Sequence, residues 1–64
     1  MSLNAELGSL AATLDGMLER VTALAASIDG SDEDLGPGLN EVERNLASAS
    51  RRLARVLREV DRRS

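Results

Sequence analysis

Large apolar residues fall at Leu3, Leu7, Leu10, Leu14, Met17, Val21, Leu24 and Ile28, in steps that alternate four and three without a slip. That alternation keeps a single stripe on one side of an α-helix; a strand, with its period of two, would scatter it. The pattern breaks at "GSDEDLGPG", residues 30–38, where Gly30 offers a helix C-cap and the glycines and proline a turn. It resumes at Leu35, Leu39, Val42, Leu46, Ala49, Leu53, Val56 and Val60, with the same alternation. The expected fold is all-α, an antiparallel two-helix hairpin with coiled-coil-like heptads. Its first helix covers about residues 3–29, its turn about 30–34 and its second helix about 35–62.

Pro37 limits where the second helix can begin. Ser31 with Asp34 three residues on resembles a capping box, but a helix from there would carry Pro37 too deep. With Asp34 as N-cap, Pro37 takes the third helical position and forfeits only an orphan N–H; Gly36 is the alternative cap. Folding back at the turn sets Ile28 against Leu35, Leu24 against Leu39, Val21 against Val42 and Met17 against Leu46. The same rule sets Leu14 against Ala49, Leu10 against Leu53, Leu7 against Val56 and Leu3 against Val60, which uses both stripes in full. A register slipped toward the C-terminus would set Leu3 against Arg63 and is the second choice. Gly8 and Gly16 lie off the stripe and cost the first helix about 1 kcal/mol each against alanine. Either they are simply tolerated, or they let another chain approach.

A hairpin of this size has little to bury. At 64 residues the chain is one domain, and a lone core of that length is marginal. Disulfides and soft-ligand zinc sites, the usual supports, need Cys or His, and the sequence has neither. Association is the remaining support. Taking Leu7, Leu14, Val21 and Ile28 as heptad position a places Ala11, Leu18 and Ala25 at e. In the second helix, with Leu39, Leu46, Leu53 and Val60 at a, Leu57 falls at e. Ala11, Leu18, Ala25 and Leu57 therefore form a greasy edge for an oligomer or partner interface, opposite a wet edge that includes Glu6, Arg20, Arg52 and Glu59. A homodimer closing into an antiparallel four-helix bundle is expected, with a helical protein partner as the rival occupant.

Little chemistry fits this composition. Without His, Cys or Tyr, general acid–base work would fall to carboxylates, and serine or threonine would lack an obvious base. Asp15 with Glu19 reads as an exposed acidic pair. Asp29, Asp32, Glu33 and Asp34 could draw a divalent cation, but they lack EF-hand spacing, and acids before a helix complement its dipole. No glycine pattern cradles phosphate. We therefore expect no enzyme, no cofactor, no metal and no small-molecule substrate. No apolar run reaches the length of a membrane span and no signal peptide is evident, so a soluble cytoplasmic protein is expected.

The basic residues are the other candidate. All eight are Arg, as codon bias in a GC-rich genome would give, and six of them crowd into "RRLARVLREVDRR", residues 51–63. Arg51, Arg55, Arg58 and Arg62 step by four, three and four, so they align as one outward stripe able to follow phosphates. Against that use, cations complement a helix C-terminus and Glu59 to Arg63 is a favourable i,i+4 pair. Nucleic acid is a possible partner but not the favoured one. Three functions follow: a self-assembling interaction or adaptor protein, a small nucleic-acid-binding regulator, or a subunit docked on a cognate partner of the chaperone, antitoxin or secretion-accessory type. The plan resembles that of the Rop plasmid regulators in architecture alone, and no residue is carried over from them.

Overall fold

The computed structural model describes residues 2–28 and 34–63. Among these, two helices pack against each other: α1, Leu3–Ser27, and α2, Gly36–Arg63. Ser2 caps the first: its hydroxyl accepts from the Ala5 N–H at 3.1 Å, and its carbonyl accepts from the Glu6 N–H at 3.0 Å. One otherwise unpaired donor of the first turn is thereby satisfied, and the Glu6 carboxylate sits where the helix dipole favours negative charge.

At the other end α1 stops two residues earlier than the sequence suggests. Ile28 turns to an extended conformation, with φ −80° and ψ 135°, and its N–H reaches back to the Ala25 carbonyl. Just before it, the Ser27 hydroxyl donates to the Leu24 carbonyl at 2.8 Å. A serine that bonds its own backbone offers an alternative to helix continuation. The turn expected around Gly30 lies outside the described residues.

For α2, the Leu35 carbonyl accepts the first helical bond, from the Leu39 N–H at 3.0 Å. Leu35 is thus the N-cap, between the two expected caps, Asp34 and Gly36. Pro37 stands in the first turn, where a missing N–H breaks no helical bond.

Side-chain bonds between described residues tie the arms together. Asn4 donates to Asp61 at 2.6 Å, Ser50 donates to Asp15 at 2.5 Å, and Thr22 donates to Glu43 at 3.1 Å. From Asn4 to Asp15 to Thr22 the steps are eleven and seven, and from Asp61 to Ser50 to Glu43 they are eleven and seven in reverse. The arms are therefore antiparallel and hold one register along their length. It falls between the two registers expected from the stripes, because different rows meet.

Those rows are the main correction. The half-buried positions of α1 are chiefly Leu7, Ala11, Leu14, Leu18, Val21 and Ala25, and those of α2 include Leu39, Glu43, Leu46, Ser50, Leu53, Leu57 and Val60. Both sets still step by four and three, but they combine heptad rows a and e. Row d, expected inside, is exposed: Leu3, Leu10, Met17 and Leu24 on α1, and Leu35, Val42, Ala49 and Val56 on α2. Ala11, Leu18, Ala25 and Leu57, expected to meet a second hairpin, are half-buried and lie on the rows that face the other arm.

The physical reason is width. Rows d, a and e together form an apolar face about 100° wide, and one neighbouring helix covers only part of it. Rows a and e win inside the hairpin because alanines and Ser50 let the backbones approach, while Asn4, Asp15, Thr22, Glu43, Ser50 and Asp61 pair with one another along that edge. Closing on row d would bring bulky Leu and Met between the arms and leave those six polar groups without each other.

Candidate interaction surface

No described residue is fully buried. Leu3, Leu10, Met17, Leu24, Leu35, Val42 and Val56 are between 44 and 64 % exposed. In two antiparallel helices, the row flanking the contact on one side of α1 lies on the same side as its counterpart in α2. Both d rows therefore lie on one broad face of the hairpin, and the cross-arm polar bonds lie on the opposite face. The outer margins of the apolar face are polar and exposed: Glu6, Thr13, Arg20 and Ser27 on α1, with Asn45, Arg52 and Glu59 on α2. An apolar strip with a polar rim is the anatomy of a protein contact surface.

Arg51, Arg55, Arg58 and Arg62 are all exposed, on the side of α2 turned away from α1. Arg62 lies 3.2 Å from Glu59, and Arg63 lies 3.3 Å from the other oxygen of the same carboxylate. Both pairs are exposed, so they add little to stability, but they place negative charge at the end of the stripe. An open depression bounded by Arg52, Arg55 and Val56 joins this basic side to the margin of the apolar face. A second, bounded by Pro37, Asn40, Glu43 and Arg44, brings no nucleophile beside a base.

Among the described residues, no three acidic side chains gather as a cation site. Asp29, Asp32 and Glu33 lie outside those residues, so the acidic turn is judged only at Asp34. No described helix is long and apolar enough to cross a membrane.

Two features escaped the sequence reading. Ser2 carries the ordinary signal of an N-cap, a serine just before the first apolar residue of a periodic run. The Asp15–Ser50 and Thr22–Glu43 pairs become visible only once rows a and e are placed inside. With rows a and d inside, Glu43 and Ser50 fall on the e edge turned toward a second hairpin, and Asp15 looks solvated. No family model matches the chain, and neither a curated protein nor a solved structure matches it.

Proposed function

We propose that this chain is a non-enzymatic, self-assembling helical-hairpin protein, an interaction or adaptor element that acts through its own helical surface. The observation that carries the reading is the combination of an unburied interior with a full-length row of exposed leucine, valine and methionine side chains on each arm. Helix stability in proteins comes mainly from packing of an apolar face, and here much of that face is uncovered. Covering it would complete a helical bundle and supply the burial that two helices lack.

Folding coupled to association depends on concentration by mass action. Thermal melting followed by circular dichroism should therefore give a midpoint that rises steadily as the protein is concentrated from the low micromolar range upward. A midpoint independent of concentration, with full helicity, would refute self-assembly.

A second reading is a nucleic-acid-binding regulator. It is supported by the exposure of Arg51, Arg55, Arg58 and Arg62 on a side separate from the apolar face, so the two uses would not compete. Its signature is binding to mixed RNA or DNA that weakens steeply as salt rises. A cognate helical partner is the third, and it would bind one-to-one in place of the second copy.

A further inference from the structure

We propose that a second copy of this chain covers the exposed d face, with α1 of one protomer lying over α2 of its partner about a two-fold axis parallel to the hairpin's long axis. The proposal rests on the self-assembly reading and specifies its surface and orientation.

Area argues for a second copy. The chain exposes 4967 Å² at a mass of 6.8 kDa, whereas a compact monomer of that mass exposes roughly 4,000 Å². The excess, roughly 1,000 Å², is close to the roughly 800 Å² per partner that a specific interface removes. The rod shape agrees: the radius of gyration is 14.9 Å, against about 11 Å for a compact domain of this length. Laying a second rod along the 50 Å face, rather than end to end, is what brings the surface down.

Side-chain volume argues for the orientation. The d row of α1 is Leu and Met, while that of α2 is Val, Ala and Val beyond Leu35. A two-fold axis parallel to the rod keeps every residue at its own height. The Asp15–Ser50 bond sets those two residues level, so the heights of Met17 in one protomer and Ala49 in the other differ along the axis by one residue, about 1.5 Å. By the same register Leu10 meets Val56 and Leu24 meets Val42. Each layer then holds one large and one smaller side chain, and the two hairpins stay evenly spaced. The alternative two-fold, with its axis across the rod, stacks α1 on α1 and α2 on α2. That arrangement piles leucine and methionine together on one side and thins the other to valine and alanine, which opens a wedge.

The absence of native cysteine makes cross-linking a clean test. Met17→Cys and Ala49→Cys are prepared as separate chains, mixed, exchanged and oxidised, and the mass of the unmodified protein is measured by sedimentation. Cysteine α-carbons must come within about 7 Å to join. The expected result is a disulfide-linked dimer in the mixture and not in either variant alone, with Leu24→Cys and Val42→Cys behaving the same way. If the unmodified protein is a dimer but Met17→Cys cross-links to itself as readily, or neither mixture cross-links, the orientation is overturned while self-assembly stands. If the unmodified protein is a monomer, both fall.

Discussion

Met17 and Leu18 are neighbours in sequence with different surroundings. Leu18 is half-buried between the arms, and Met17 is 48 % exposed on the apolar face. The same substitution at the two sites should therefore fail in two ways. Leu18→Glu puts a charge into the contact between α1 and α2 and should lower helicity itself, at a cost of about 2–3 kcal/mol to an already marginal hairpin. Met17→Glu should instead weaken association, by about 30-fold if about 2 kcal/mol of apolar burial is lost, while dilute helicity falls only as far as dissociation requires. Circular dichroism and sedimentation on the two variants separate these outcomes; identical behaviour would mean that rows d and e are not distinguished. The glycines give a third residue-scale expectation. A Cβ added at Gly8 or Gly16 meets nothing within 4 Å. Neither lies on the d face, so Gly16→Ala should raise stability by about 1 kcal/mol and leave the assembled mass unchanged. A loss of assembly in that variant would place a chain against Gly16.

At the scale of the elements, the two helices and their antiparallel return were legible in the alternation of four and three. The choice among rows was not. From Leu3 to Ile28, rows d and a supply all the large apolar residues but Leu18, and size alone points inward for both. What decides between d and e is how closely two backbones can approach and which polar groups can find each other across the gap. Those are properties of the pair, carried by Ala11, Ala25, Asp15 and Ser50 together rather than by any of them alone. The same limit explains the caps. Ser2 was readable from local chemistry, whereas the early end of α1 depends on Ser27 bonding to Leu24 and on the conformation of Ile28. The arginine stripe was readable as a row, and its exposure follows from its position on the far side of α2. Reversing Arg51, Arg55, Arg58 and Arg62 to glutamate should keep the helical spectrum and the assembled mass close to those of the unmodified protein. Dissociation of that variant would make the stripe part of the contact.

At the scale of the whole molecule, the chain is a rod of 50 × 15 × 12 Å with no fully buried described residue, and its d face is uncovered. Each arm carries a face wide enough for two neighbours, and the hairpin itself provides one. A second hairpin on the d face, as proposed, would supply the other and leave the basic side of α2 facing solvent. Association would then convert the most apolar surface of the chain into a core and present a rim of Glu6, Arg20, Arg52 and Glu59 around it. Equilibrium sedimentation of the unmodified protein at micromolar concentration shows whether the hairpins associate. A mass above 6.8 kDa is expected, at twice that value for the proposed two-fold pair. A helical, cooperatively melting species at 6.8 kDa would contradict it.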